Sequence, residues 1–272
     1  MKQNDNCVIK PVLKWAGGKS QMLDDINPRM PKQYNAYIEP FIGSGALFFA
    51  LAPKGAIIAD SNSELINLYM VIANEPERFI EKLDSFENTK DNFYQVRSLD
   101  WKKLTPIDAA ARMVFLNKTC FNGLYRVNKN GQFNTPYANN KRTTYCDVDN
   151  IMQASALLKQ TRILCGDYHD ILLEHAKKDD FIFLDPPYIP ISKYSDFKRY
   201  TKDQFGEDDQ RRLAEDVFSL YKKGCKVMMT NSNHPLIYEL YKDFNIEVFQ
   251  TKRMINKNGN NRTGEDVIVR TY

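Results

Sequence analysis

The tetrad Asp185-Pro186-Pro187-Tyr188 constrains the fold of this chain most strongly, because of the residues that precede it. The apolar run Phe181 to Leu184 predicts a short buried strand. The two prolines have no backbone N–H to donate to a sheet, so they end that strand at once. An acid and an aromatic ring are therefore predicted on a stiff turn at the carboxyl end of a strand, where ligands bind in open α/β sheets. A strand-ending turn without a ligand is the alternative.

The tetrad suits one kind of chemistry. An amino group on an aromatic ring is a poor nucleophile because its lone pair is delocalised, and two acceptors for its hydrogens would direct that lone pair at an electrophile. The Asp185 carboxylate and the Pro186 carbonyl can be those acceptors, and Tyr188 can stack on the ring. The tetrad resembles motif IV of amino-methyltransferases, which use S-adenosylmethionine (SAM) to methylate adenine or cytosine amino groups in DNA.

Two earlier stretches favour a nucleotide-like cofactor. A short strand from Tyr37 runs into the turn Gly43-Ser44-Gly45, where glycines permit a close backbone approach to a ligand. A second apolar strand, Ala56 to Asp60, ends in a carboxylate placed to hold ribose hydroxyls. A nicotinamide dehydrogenase would look similar, but Phe48 stands where its fingerprint has a third small residue.

The first motif of the chain is Lys14-Trp15-Ala16-Gly17-Gly18-Lys19. Its adjacent glycines allow the backbone to come close to a ligand, and Lys19 can supply a cation there. Between about 61 and 160 the pattern becomes helical. Helices are predicted over Glu64–Ala73, Pro76–Phe86, Asn92–Leu99 and Pro106–Cys120.

A β-hairpin is predicted around Asn130-Gly131, because this dipeptide is flanked by alternating residues. The surrounding segment, Trp101 to Tyr145, contains eight basic residues and only one acid, Asp108, so it carries +7 while the rest of the chain carries −3. Such a block predicts a face that binds a polyanion. A hairpin can enter the major groove of DNA, where arginine commonly reads guanine. An ordinary solvated hairpin is the alternative.

The α/β pattern resumes at Arg162 and continues to the C-terminus. The segment Ile189 to Phe205 is long and without clear periodicity, which suggests a functional lid. Further elements are predicted as helices over Glu207–Lys222 and Pro235–Phe244 and strands over Lys226–Thr230, Ile246–Gln250 and Val267–Thr271. The Asn/Gly-rich segment Asn256 to Gly264 is predicted to be mobile.

The five cysteines form no Cys-x-x-Cys pair, and the three histidines lack zinc-like spacing to them, so reduced thiols and no metal are expected. No apolar run approaches 18 residues and the N-terminus is polar, so neither a membrane span nor a signal peptide is expected.

Taken in order, the motifs KWAGGK, EPFIGSG, IIAD, NGLYRVN with QFNTPY, and DPPYIP resemble the Dam-type (alpha-group) DNA adenine-N6 methyltransferases, including GATC-specific enzymes. The resemblance implies an α/β fold with a seven-stranded mixed sheet of the Rossmann-like SAM-dependent type. It also implies an inserted helical and β-hairpin target-recognition domain. We therefore expect a catalytic domain at 1–60 and 161–272 and a DNA target-recognition domain at 61–160.

The resemblance also assigns roles to residues. It implies catalytic roles for Asp185, Pro186 and Tyr188. The residues that it implies for SAM binding are Trp15, Lys19, Gly43, Gly45, Asp60, Asp167 and Asp185. DNA binding is implied or predicted for Lys14, Asn122, Leu124, Arg126, Pro136 and Lys141. Ala138 and Asn139 depart from the glycine and arginine that are common in this family's recognition loop.

The implied reaction methylates the N6 amino group of adenine in duplex DNA by base flipping and direct in-line displacement, without a metal. A non-catalytic DNA-binding protein, an RNA methyltransferase and a cytosine-N4 methyltransferase remain alternatives, although the cytosine enzymes usually have Ser in place of Asp185. We expect a monomer that acts in a bacterial or phage-infected cytosol. A role within restriction-modification, with a cognate restriction enzyme, is left open.

Overall fold

The computed structural model describes residues 9–15, 19–140, 143–189, 205–252 and 263–272. Several predicted features fall partly or wholly outside these ranges. They are the central Ala16-Gly17-Gly18 of the first motif, Lys141, the suggested lid between Ile189 and Phe205, and most of the Asn/Gly-rich segment.

Seven strands form one mixed sheet in the order β3-β2-β1-β4-β5-β7-β6. The strands are β1 (Tyr37–Glu39), β2 (Ile57–Asp60), β3 (Arg162–Cys165), β4 (Phe181–Leu184), β5 (Lys226–Ser232), β6 (Asn245–Lys252) and β7 (Thr263–Arg270). Strand β1 pairs in parallel with β2 and β4, and β4 pairs in parallel with β5. Strand β7 is antiparallel to both β5 and β6. The predicted α/β fold with a seven-stranded mixed sheet is therefore confirmed.

The described ranges contain helices α1 (Leu23–Ile26), α2 (Ala46–Leu51), α3 (Ser63–Asn74), α4 (Pro76–Asp84), α5 (Lys90–Ser98), α6 (Pro106–Thr119), α7 (Val148–Leu158), α8 (Tyr168–His175), α9 (Glu207–Lys223) and α10 (Pro235–Leu240). Helices α7 and α8 were not predicted. Asp147 starts α7, because its side chain accepts a hydrogen bond from the backbone N–H of Asn150. None of the helices in these ranges is long and apolar enough to cross a membrane.

The contact pattern divides the chain into two compact units. The first unit consists of Met1–Ser20, Gly43–Gly55 and Asn62–Cys165, and the second of Gln21–Ile42, Ala56–Ser61 and Gly166–Tyr272. Two of the breaks between the units, at 61/62 and 165/166, lie near the predicted domain boundaries at 60/61 and 160/161. The assignment of DNA recognition and catalysis to separate segments stays a prediction.

The core of the second unit forms around the apolar faces of β4 and β5. Ile182, Leu184, Val227 and Met229 are buried there with side chains from α8, α9 and α10. Acidic residues open α9, and Gly224 ends it in a left-handed conformation with a φ of 87°, as glycine commonly does at a helix C-terminus. This packing fixes the carboxyl ends of β4 and β5 on rigid elements.

The core of the first unit is rich in aromatic side chains. Phe115 on α6 lies 4.9 Å from Phe86 and 5.4 Å from Tyr145, as measured between ring centroids. Phe93 on α5 contacts Tyr137 at 5.3 Å. Aromatic pairs at these separations add to the stability that burial provides. The basic segment of the sequence is therefore anchored on an apolar helical core.

The hairpin turn forms where it was predicted, but the pairing beside it is sparse. Residues 119–140 contain only two isolated bridges, Val127 with Phe133 and Cys120 with Tyr137. The Asn128 side-chain oxygen accepts hydrogen bonds from the backbone N–H groups of Asn130 and Gln132, at 2.9 and 3.0 Å. Side-chain acceptors of this kind compete with regular strand pairing, so a compact turn replaces a longer ladder.

Candidate active site

Asp185 stands directly after β4, and its carboxylate is held by the neighbouring strand. Thr230 on β5 donates a hydrogen bond from Oγ1 to Asp185 Oδ1 at 2.8 Å. Thr230 is fully buried, whereas Asp185 is half-buried. A carboxylate with one oxygen fixed by a buried hydroxyl keeps a defined orientation at the edge of the sheet.

The turn that follows Asp185 is fastened by three polar side chains, each at most 2% exposed. Gln210 on α9 donates to the Pro187 carbonyl at 2.8 Å. Ser232 donates to the Ile189 carbonyl at 2.9 Å, and Asn231 accepts from the Ile189 N–H at 3.3 Å. Buried polar groups satisfied in this way rigidify the backbone that they bind. Pro186, which is buried, and Tyr188, which is half-buried, therefore lie on a preorganised turn.

These three fastening residues were not predicted from the sequence. The signal available was the run Asn231-Ser232 at the end of the apolar strand β5, since polar side chains at a strand end commonly serve a site. Gln210 gives no such signal, because it is one polar residue in a largely polar helix.

Two further carboxylates, Glu39 and Asp60, lie at the ends of β1 and β2. Glu39, which is 3% exposed, accepts a hydrogen bond from the Tyr37 hydroxyl at 2.6 Å. Burial, and then the adjacent Glu39 carboxylate, raise the pKa of Tyr37 well above its ordinary value, so this hydroxyl remains a donor. Asp60 is half-buried at the end of β2, and its backbone carbonyl accepts from the Gly166 N–H at 3.2 Å. The sequence identified Asp60 but not Tyr37 or Glu39 as site residues.

The second unit also contains Asp167 and a cluster of aromatic side chains at the start of α8. The Asp167 carboxylate begins α8 by accepting the backbone N–H two residues later, at 2.9 Å. Arg212 on α9 lies 3.4 Å from the same carboxylate and covers the ring of Tyr168 at 5.6 Å. The Tyr168 ring lies 5.0 Å from that of Phe41, and Phe205 lies 6.0 Å from Phe41. The second unit thus combines carboxylates that can accept hydroxyl groups with flat apolar rings, which suits a ligand containing a sugar and an aromatic base.

In the first unit, Trp15 is packed against the Gly43 turn. A Cβ atom on Gly43 would lie 3.1 Å from Trp15 Cδ1, and Gly43 has a φ of +47°, so both space and conformation require glycine. The Tyr69 hydroxyl donates to the Gly43 carbonyl at 2.6 Å. Gly45 has a φ of +67° immediately before α2. Lys19, which was predicted to supply a cation, is only 5% exposed.

Lys14, which was predicted to contact DNA, is joined by Asn117 to residues 119–140, which contain the hairpin turn and are called the hairpin segment below. The buried Asn117 amide accepts from the Lys14 N–H at 2.8 Å and donates to the Lys14 carbonyl at 2.7 Å. It also donates to the Gly123 carbonyl at 3.0 Å. A Cβ on Gly123 would lie 2.5 Å from Lys14 Cδ, so only glycine allows the lysine stem to pass. The structure therefore brings Lys14 and the Asn122–Arg126 stretch together.

The other predicted DNA-contacting residues lie along the same segment. Asn122 is exposed and adopts a φ of 56°, an uncommon conformation for a residue other than glycine. Leu124 is half-buried, and Arg126 is exposed and donates to Asn134 at 2.9 Å. The Pro136 carbonyl accepts from the Phe121 N–H at 2.8 Å.

One basic residue of the +7 segment is buried in the helical core. Arg112 on α6 is 3% exposed and forms an ion pair with Glu64 at 3.0 Å. It also donates to the carbonyls of Val96 and Arg97. Burial raises the pKa of the Glu64 carboxyl, and hydrogen bonds from Tyr125 and Arg112 oppose that shift. Arg112 is therefore a structural residue, which the charge count alone could not reveal.

The comparison with protein families decides between the alternatives that the sequence left open. Residues 15–255 match the model of the D12 class N6 adenine-specific DNA methyltransferases. The chain belongs to this family. Among curated proteins, it is 43% identical to "Type II methyltransferase M.MjaIII" of Methanocaldococcus jannaschii, over 93% of this chain and 95% of that protein.

Two further relatives extend the match over nearly the whole chain. "Type II methyltransferase M1.LlaDCHI" of Lactococcus lactis subsp. cremoris is 41% identical, over 99% of this chain and 98% of that protein. "DNA adenine methylase" of Escherichia coli strain K12 is 30% identical, over 100% of this chain and 96% of that protein. The predicted enzyme class, an adenine-specific DNA methyltransferase, is thus confirmed. The roles of individual residues in this D12 class enzyme stay predictions.

No group of three or more His, Cys, Asp or Glu side chains that could hold a metal ion occurs among the residues that the structure describes. The described cysteines, Cys120, Cys146, Cys165 and Cys225, are free thiols.

Proposed function

We propose that this D12 class enzyme transfers a methyl group from S-adenosylmethionine to the N6 amino group of adenine within GATC in duplex DNA. The observation that carries the proposal is the fixed carboxylate of Asp185, held by Thr230 after β4 on a turn that Gln210 and Ser232 fasten. A site that must direct an amino lone pair needs acceptors in fixed positions, because their effect depends on preorganisation.

In the proposed reaction, the carboxylate of Asp185 and the carbonyl of Pro186 accept hydrogen bonds from the adenine amino group. The amino nitrogen gains the methyl group and loses one proton to solvent, and S-adenosylhomocysteine leaves. Tyr188 stacks on the adenine ring and keeps the amino nitrogen in the plane of these acceptors. Because the amino group is inaccessible inside the base stack, the adenine is flipped out of the duplex into this turn. When bound, S-adenosylmethionine supplies the methyl group as an electrophile on its positively charged sulfur.

The residues of the second unit fit that cofactor. Asp60 and Asp167 provide acceptors for ribose hydroxyls and base edges, and the rings of Phe41 and Tyr168 provide an apolar surface for adenine. Roles in cofactor binding for Trp15, Lys19, Gly43 and Gly45 of the first unit are proposed from their match to the family motifs.

Recognition of GATC is proposed to reside in Lys14 and the hairpin segment, through Asn122, Leu124, Arg126 and Pro136, with Lys141 contacting phosphate. The support is the exposed arginine beside a turn in a basic segment, which suits entry into a major groove. Since the substrate is DNA, we place the proposed action in the cytosol of a bacterium or of a phage-infected host, and a monomer is sufficient for it.

The test uses purified full-length protein, radiolabelled S-adenosylmethionine and duplexes that contain GATC or each of its single-base variants. We expect methyl transfer to GATC and, after digestion to nucleosides, N6-methyladenine as the product. N4-methylcytosine would contradict the assigned amino group. Equal rates on all duplexes would contradict the assigned sequence while leaving the chemistry intact.

A further inference from the structure

The side chain of Tyr125, in the segment of the hairpin turn, reaches both the buried Arg112–Glu64 ion pair and Trp15, which is predicted to bind the cofactor. It stands between Leu124 and Arg126, yet it is only 5% exposed. Its ring stacks on Trp15 with centroids 5.0 Å apart and an angle of 20° between planes. Its hydroxyl donates to Glu64 Oε2 at 2.6 Å.

The orientation of this ring is fixed from three directions. Glu64, itself paired with Arg112, holds the hydroxyl. Phe133, on the other arm of the hairpin turn, meets the ring edge-on at 5.8 Å. Trp15 covers one face. Because close-packed interiors deform little, a displacement of the Tyr125 ring also displaces the side chains packed against it.

Each residue of the stacked pair adjoins a residue that is proposed to bind a different ligand: Gly43 for the cofactor and Arg126 for DNA. A Cβ atom added to Gly43, which opens the Gly-x-Gly turn, would lie 3.1 Å from Trp15 Cδ1, so Trp15 leaves no free space beside this glycine. Arg126 follows Tyr125 directly and is exposed beside the hairpin turn. The Asn117 amide holds Lys14, the residue before Trp15, to the Gly123 carbonyl. Movement of the hairpin segment is therefore passed to the Lys14–Trp15 backbone and to the Trp15 ring together.

We propose that Tyr125 is a positioning residue that couples the binding of the recognition sequence to the affinity for the cofactor, through its stack on Trp15. This inference rests on the proposed function for the roles of Trp15 and Arg126. Coupling between two ligands is reciprocal and commonly changes affinity by about 5- to 150-fold. The wild-type protein should accordingly bind the cofactor more tightly, by a factor in that range, when a GATC duplex is present.

The test measures the dissociation constant of S-adenosylhomocysteine, which cannot donate a methyl group, with and without a GATC duplex. The variants are Tyr125→Phe and Tyr125→Leu. Both lose the hydrogen bond to Glu64, but only Tyr125→Leu also loses the aromatic stack on Trp15. Tyr94→Leu is the matched control, since Tyr94 is an exposed tyrosine of the same unit whose ring contacts Phe93 and Arg97.

We expect Tyr125→Phe and Tyr94→Leu to keep the wild-type coupling factor within about twofold, whereas Tyr125→Leu should reduce it to less than about 2. The same coupling factor in Tyr125→Leu as in Tyr125→Phe would overturn the proposal. Equal affinity with and without DNA in the wild type would also overturn it. If the wild type binds no S-adenosylhomocysteine and methylates no DNA, the proposed function fails instead.

A second measurement does not depend on the folding of the Tyr125 variants. The chain has two tryptophans, so Trp101→Phe leaves Trp15 as the single indole emitter. Addition of the GATC duplex without cofactor should shift the emission of Trp15, because the stacked tyrosine moves with the hairpin. Unchanged emission at saturating DNA would contradict the coupling.

Discussion

At the residue scale, the hydrogen bond from Thr230 to Asp185 links a strand that has no role in the sequence motif to the proposed reacting group. The motif predicts the position of Asp185 because two prolines fix the end of β4. It cannot predict Thr230, which lies 45 positions later and is one of several small polar residues near a strand end. Parallel pairing of β4 with β5 brings the two together, and that pairing is a property of the fold.

The first prediction concerns this pair. Asp185→Ala should reduce the turnover number by at least about 100-fold, since a preorganised catalytic group is typically worth a few kcal/mol, while cofactor and DNA binding persist at least in part. Thr230→Val should reduce turnover by about tenfold or more, with little change in cofactor affinity, because the carboxylate loses its orientation. Single-turnover rates and equilibrium titrations measure these effects.

A matched control is Thr161→Val, because the Thr161 hydroxyl bonds only the carbonyl of Leu157 in its own helical turn. Its turnover should equal that of the wild type. Turnover of Asp185→Ala within tenfold of the wild type would refute the proposed role of the carboxylate.

Asp60 gives the second prediction. Asp60→Ala should weaken cofactor binding far more than DNA binding, since the proposed partners of its carboxylate are the ribose hydroxyls of the cofactor. Calorimetric titration of each ligand separates the two, and Asp243→Ala, an exposed acid of the same unit, is the control. Equal losses for cofactor and DNA would show that Asp60 is structural.

At the element scale, local signals predicted most helices and strands to within a few residues, because capping residues and prolines mark their ends. Strand β4 has the predicted bounds, β3 begins at Arg162 as predicted, and Pro76 and Pro106 open α4 and α6. The signal for α7 was also present in Asp147, a good N-cap, although it was missed. The sparse strand pairing of the hairpin was not predictable from Asn130-Gly131 alone, since it depends on the backbone N–H groups to which the Asn128 side chain is hydrogen-bonded.

The hairpin carries the third prediction. Arg126→Ala should relax the choice of sequence at one base pair and lose about 1–3 kcal/mol of discrimination, because an exposed arginine can grip guanine bidentately. Methylation rates on GATC and its single-base variants measure the effect. Lys129→Ala, an exposed cation in the same turn, should slow all duplexes alike. If Arg126→Ala also slows every duplex by one factor, Arg126 contacts only the backbone of the DNA.

The helical core carries the fourth prediction, which concerns stability. Arg112→Ala should lower the free energy of unfolding by roughly 3–5 kcal/mol, because it leaves the Glu64 carboxylate buried without its ion-pair partner. Denaturant titration followed by circular dichroism measures the loss. Arg78→Ala is the control, since the Arg78–Glu75 pair is largely exposed and should contribute less than about 1 kcal/mol. Losses of equal size would contradict the buried pairing.

At the scale of the whole molecule, the resemblance of the motifs to a known family predicted the seven-stranded mixed sheet but not the order of its strands. The residues that make up each of the two units were not predicted either. Residues Gly43–Gly55 and the N-terminal Met1–Ser20 cluster with the helical unit, since Trp15 packs on Gly43 and on Tyr125. Trp15 and Tyr125 are more than 100 residues apart in the chain, and periodicity in a sequence carries no information about such pairs.

The charge distribution gives the last prediction. The net charge of +4 includes a +7 segment, in which Arg112 is paired with Glu64 in the core. Among the described basic residues of this segment, Lys102, Lys103, Arg126 and Lys129 are exposed and accessible to phosphate groups. Each phosphate contact releases counterions, so the logarithm of the DNA association constant should fall linearly with the logarithm of salt concentration. Lys141→Ala should reduce that slope by about 1 and weaken GATC and variant duplexes alike, because a phosphate contact carries no sequence information. Arg112→Lys, with the charge kept in the core, should leave the slope unchanged. A Lys141→Ala protein with the wild-type slope would show that Lys141 makes no phosphate contact, whereas an altered preference among duplexes would make Lys141 a reader of bases.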